Sequence, residues 1–114
     1  MGKKATKDDL FTAHIETEDF ELPSGLVVTL RGLTGFEVHL MRKMAGENGE
    51  MADAVALSMG LVDPVLSKDE ALRWMKNRPA GESTAATGRI RDLSGLNDDA
   101  PKEAYKSLRG EPAQ

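Results

Sequence analysis

The chain predicts an α+β fold: a short N-terminal β-hairpin followed by a mainly α-helical domain of four to five short helices. Three observations carry this. Period-two apolar runs flank Pro23-Ser24-Gly25. Thr34 with Glu37, and Ser67 with Glu70, are capping-box words that each open a stretch of helical spacing. Ile90 through Leu96 reads as a helix end, with Ile90 and Leu93 on one face and a glycine stop at Gly95.

The hairpin spans about 18–31. Phe20 and Leu22 alternate with Asp19 and Glu21, and Leu26, Val28 and Leu30 alternate with Val27, Thr29 and Arg31. Pro23 suits the second position of a type I turn, with Gly25 supplying positive φ after it. A two-stranded hairpin with one apolar face is not stable alone, so helices must cover it.

Phe36, Leu40, Met41 and Met44 give the first helix its apolar positions, and Gly46-Glu47-Asn48-Gly49 breaks it. A second helix carries Met51, Ala52, Val55, Ala56 and Met59 and ends near Gly60. Leu61-Val62-Asp63-Pro64 reads as a linker, because proline drives Asp63 out of helical geometry. The third helix places Ala71, Leu72 and Met75 on one side with Trp74 beside them. A fourth runs from about Glu82 to Ser94, with Leu93 and Leu96 partly buried around Gly95. A fifth runs from about Asp99 to Leu108, capped from Asn97-Asp98-Asp99. Residues 1–12 read as a mobile arm, 13–109 as a single domain with helices over about 35–108, and 110–114 as a tail.

With 114 residues, 39% hydrophobic, the chain fits one modest core. One Trp, one Tyr and three Phe make that core mainly aliphatic and methionine. A net charge of -4 and a pI near 5.2 argue against nonspecific nucleic-acid binding, which uses a basic face. The absence of cysteine removes disulfides, thiolate metal sites and cysteine nucleophiles. No stretch reaches the ~20 apolar residues that span a bilayer, and the start has no apolar run of a signal peptide. A cytoplasmic protein is the expectation.

Searched for chemistry, the sequence offers scaffold residues. Ser83 lies near glycines, but His14 and His39 both precede it, the reverse of an α/β-hydrolase's order. Neither histidine has an HExxH partner or a ligand cluster. Asn97-Asp98-Asp99 lacks the glycine and terminal glutamate of a calcium loop. The expectation is therefore no catalytic residue, no cofactor and no metal. Met41, Met44, Met51, Met59 and Met75 fall on or beside the apolar faces of three helices. Such methionines are either core filler or an adaptable partner-binding surface. Together with Trp74 they are the candidate partner-binding residues.

Several of these words, in this order, resemble phage tail assembly chaperones. They are Phe20 to Val28 through Pro23-Ser24-Gly25, then Leu33-Thr34-Gly35-Phe36-Glu37 opening a helix. Val62-Asp63-Pro64 before the helix with Trp74, and Ile90 to Leu96 ending in Leu93-Ser94-Gly95-Leu96, complete the match over roughly Glu18 to Leu108. The resemblance implies a protein of the host bacterial cytoplasm that binds the tape-measure protein and helps recruit tail-tube subunits during assembly of a long-tailed phage. It implies no catalytic residues, and several copies along a long client make a homo-oligomer the expected form. Two alternatives are a small structural or connector protein of the phage particle and a small DNA-binding regulator. Binding to nucleic acid or membrane is not expected.

Overall fold

The computed structural model describes residues 2–96 of the chain. Along them run α1 (Lys7–Phe11), β1 (Thr17–Glu21), β2 (Val27–Arg31), α2 (Gly35–Ala45), α3 (Gly49–Gly60), β3 (Leu61–Asp63), α4 (Lys68–Asn77) and α5 (Ala80–Leu93). This is an α+β fold, with the N-terminal hairpin followed by helices. The helix expected over about 99–108 and the tail at 110–114 lie outside the described residues.

β1 pairs antiparallel with β2 from Thr17 opposite Arg31 to Glu21 opposite Val27. The turn forms as its residue types require. Gly25 N–H donates to the Leu22 carbonyl at 2.8 Å, Pro23 and Ser24 occupy the corner, and Gly25 takes φ 94°. The sheet does not stop at the hairpin. Leu61–Asp63, expected as a linker, is β3, antiparallel to β2, so the strand order is β1-β2-β3. Leu61 is the reason: it is buried, and its inward side chain extends the apolar face of β2 while Val62 turns outward. A run of three residues is too short for its period to distinguish strand from linker.

One face of the sheet carries the core. Leu22, Val28, Leu30 and Leu61 meet Ala54 and Leu57 of α3, Ala71 of α4, and Ala86 and Ile90 of α5. The apolar stripe of α2 differs in phase from the expected one. Val38 and Ala45 are buried and Met41 half-buried, whereas Phe36 is 71% and Met44 57% exposed. Two overlapping stripes were available, and the helix entry selects one. Thr34 caps α2, and Glu37, which completes that capping box, also accepts both terminal nitrogens of Arg31 on β2, at 2.8 and 2.5 Å. That ion pair pins one side of α2 to the sheet and turns Val38, Met41 and Ala45 toward the core.

The expected boxes at Thr34 and Ser67 are present, as is one at Thr6 that opens α1 within the 1–12 arm. Asn48, read as part of a breaker, caps α3 through Met51 N–H at 3.1 Å. At the end of α5, Gly95 has φ 77°, Leu96 N–H bonds to the Arg91 carbonyl and Gly95 N–H to that of Asp92. This is the Schellman pattern that the glycine announced. Leu93 is half-buried, but Leu96 remains 41% exposed, less covered than expected.

Candidate functional site: an apolar groove closed by a polar clasp

Covering the sheet with α4 leaves a gap at the turn end. Ala71 is the buried contact of α4, and its small side chain lets the helix approach the core there. Farther along, Leu22, Leu26 and Val28 of the hairpin face Leu66 and Trp74 across a groove of about 400 Å³. Arg73, Asn77 and Glu70 form its polar rim, and Pro64 its margin. The surroundings are unusually apolar for a surface. Leu26 is 55% exposed, and Val65, between Pro64 and Leu66, is 74% exposed.

A buried carboxylate closes one end. Glu82, in the first turn of α5, is 3% exposed. Its Oε1 accepts from Trp74 Nε1 at 3.1 Å and Arg78 Nε at 2.8 Å, and its Oε2 from Arg78 Nη2 at 2.8 Å. Hydrogen bonds from Arg78, then Ser24 and Trp74, hold the carboxyl at about 2, well below its ordinary 4.5. These partners come from the α4–α5 connection, the hairpin turn and α4, and they converge on Glu82 of α5. The clasp therefore sets both the distance across the groove and the orientation of the indole. Among the described residues, no buried side-chain nitrogen or oxygen lacks a hydrogen-bond partner, so the clasp's polar atoms are already engaged and the groove offers apolar surface.

The methionines expected to bind a partner do not form one face with Trp74. Trp74 lines the groove. Met59 and Met75 pack on the core beside it. Met41 lies in a separate hollow of about 90 Å³ between α2, α3 and α5, with Leu33, Val38 and Ile90. Met51 is half-buried at the start of α3, and Met44 points to solvent. Leu22, Leu26, Leu66, Arg78 and Glu82 escaped the sequence reading as site residues. Trp74, Arg78 and Glu82 at successive intervals of four are the signal that was available, although Pro79 between them hides that they face one another.

His14 and His39 are exposed, and the Ser83 hydroxyl donates to the Ala80 carbonyl at 3.3 Å. Among the described residues, no group of three or more His, Asp or Glu side chains is placed to hold a metal ion, and no helix is long and apolar enough to cross a membrane. No family model, curated protein or solved structure matches the chain.

Proposed function

We propose that this protein is a tail assembly chaperone that acts by binding, without catalysis, and that the groove beside Trp74 takes apolar side chains of the tape-measure protein. The groove carries the reading: an apolar trough of about 400 Å³ with its indole held in place by Glu82. A long apolar helix in water aggregates until its face is covered. Helix-in-groove recognition covers it by seating anchor side chains three or four residues apart. A pocket of this size accepts one or two such anchors. The rest of a long client is then covered by further copies, which fits an oligomeric chaperone that also gathers tail-tube subunits in the host cytoplasm. The sequence resemblance over Glu18 to Leu108 supplies the identity of the client.

Co-expression tests the reading. The tape-measure protein should remain soluble and co-purify with the wild-type chain, and should lose both properties with Leu26→Glu. Insoluble client and no complex with the wild-type chain would sink it. Recovery of the chain in stoichiometric amounts from purified virions would favour a structural component of the particle instead.

A further inference from the structure

We propose that the outer edge of β1 is a strand-addition site for an extended segment in which lysine or arginine alternates with aliphatic residues. This edge and the hollow beside it share no residue with the lining of the groove at Trp74, and their use does not depend on the identity of the client.

The ladder shows which backbone groups are available. Leu22 N–H donates to the Leu26 carbonyl at 2.8 Å, and Gly32 N–H to that of Glu16 at 3.1 Å. In an antiparallel pair, residues bonded in this way alternate with residues whose groups point away. With Thr17 opposite Arg31, the even-numbered residues of β1 are the ones bonded to β2. The N–H and C=O groups of Thr17, Asp19 and Glu21 therefore point outward, and β1 has no second neighbour among the described residues. The other edge of the sheet is closed by its own sequence. β3 has three residues, its pairing with β2 is shifted, and Pro64 follows it. β1 has five residues in regular register, which leaves its edge open to a further strand.

Beside that edge lies room for side chains. A strand added to β1 runs about 5 Å outside it, along the flank of α5. There Phe20, Ala85 and Gly88 wall a hollow of about 340 Å³, with Arg89, Arg91 and Asp92 around it. Glycine is a poor helix former, and a Cβ on Gly88 would meet nothing within 4 Å, so α5 leaves open space where its sequence could have filled it. Arg89 is already engaged by Glu18 at 2.6 Å. An inward residue opposite Phe20 therefore meets mainly apolar wall, which an aliphatic side chain suits.

Charge selects the occupant. Asp19 and Glu21 are exposed on the face of β1 turned away from the helices. Arg31, the basic residue of the neighbouring strand, is taken by Glu37. A second copy of β1 would set its own carboxylates beside these, and like charges directly opposite destabilise a sheet. Lysine or arginine at the outward positions of the added strand reverses the sign.

The test uses the full chain and the labelled peptide Lys-Val-Lys-Val-Lys, blocked at both ends, read by fluorescence anisotropy and by amide exchange in NMR spectra. Paired antiparallel, its lysines lie opposite Thr17, Asp19 and Glu21. It should bind at least ~10-fold more tightly than Glu-Val-Glu-Val-Glu, less tightly as salt is raised, and should slow exchange at the Thr17, Asp19 and Glu21 amides. Methylating the backbone nitrogen of its central lysine should abolish binding, because that N–H faces β1. Glu21→Lys, at an exposed position, and Gly88→Leu, which fills the hollow, should each weaken binding at least ~10-fold without lowering the melting temperature. No binding, as expected of carboxylates that merely guard the edge, would overturn the proposal. So would equal binding of the methylated peptide, undiminished binding to Gly88→Leu, or exchange slowed only away from Thr17, Asp19 and Glu21. Protection of those amides that grows with protein concentration in the absence of peptide would assign the edge to a second copy, and overturns it too.

Discussion

The backbone N–H of Leu33 donates to Ser94 Oγ at 2.7 Å, joining the entry of α2 to the exit of α5 across 61 positions of sequence. The same hydroxyl donates to the Ile90 carbonyl at 2.6 Å. Next to it, Gly32 passes so close to the end of α5 that a Cβ there would collide with the Leu93 carbonyl. One serine and one glycine thus lock sheet, α2 and α5 together. Leu33 is buried, so Ser94→Ala leaves its N–H without water or partner, at a cost of about 1–3 kcal/mol. Urea unfolding should show a lower midpoint with an unchanged slope. Gly32→Ala should be worse than Ser94→Ala, because backbone on both sides must move.

A second glycine is set by a single side chain. A Cβ at Gly60 would lie 2.5 Å from Ile90 Cδ1 and 2.8 Å from Cγ1. In a helix Ala is favoured over Gly by ~1 kcal/mol, but overpacking a filled core costs about 1–3 kcal/mol. The clash wins, and Gly60→Ala should destabilise. In an Ile90→Ala background the obstructing atoms are gone, so the same substitution should become neutral or stabilising. A double-mutant cycle measures the difference, and additive effects would show that Ile90 is not the obstruction.

Acid should loosen the hairpin and helix anchors together. The Arg31 guanidinium holds the Glu37 carboxyl at about 2, below the ordinary 4.5, and Arg78 does the same for Glu82. Both carboxyls bind protons more weakly in the folded chain than in the unfolded one. Their stabilisation is therefore fully present above about pH 4.5 and is lost as pH falls toward 2. Chemical denaturation between pH 5 and 2 should show that decline, and Glu37→Gln should flatten it while lowering stability at neutral pH.

The legible parts of the fold are those written in local chemistry. Thr34–Glu37, Ser67–Glu70, Pro23-Ser24-Gly25 and Gly95 each fix a helix start, a turn or a helix end by hydrogen bonds a few residues apart, and neighbouring sequence suffices to read those. β3 and the phase of α2 depend on partners far along the chain: Leu61 is a strand residue because Leu30 pairs with it, and Phe36 is exposed because Arg31 holds Glu37. The groove was hidden for the same reason. Trp74 was visible as an aromatic beside a helical face, but its floor comes from the hairpin and its orientation from Glu82 beyond a proline. Methionine spacing pointed to a shared face that the packing divides among core, hollow and solvent.

The groove and the methionines now separate in a binding experiment. Leu26→Glu places a charge on the exposed wall of the groove, where it should weaken capture of an apolar helical client at least tenfold with little change in stability. Met44→Glu, on the solvent side of α2, should leave capture unchanged. Equal loss from both would move the binding surface away from Trp74.

A photo-crosslinking amino acid placed in turn at Leu26 and at Met44, in chains co-expressed with the tape-measure protein, tests the groove most directly. The proposed function predicts covalent client adducts from position 26 and none from position 44, with the 26 adduct mapping to an apolar helical segment of the client. Adducts from position 44 alone, or none from either position while a complex still forms, would contradict it.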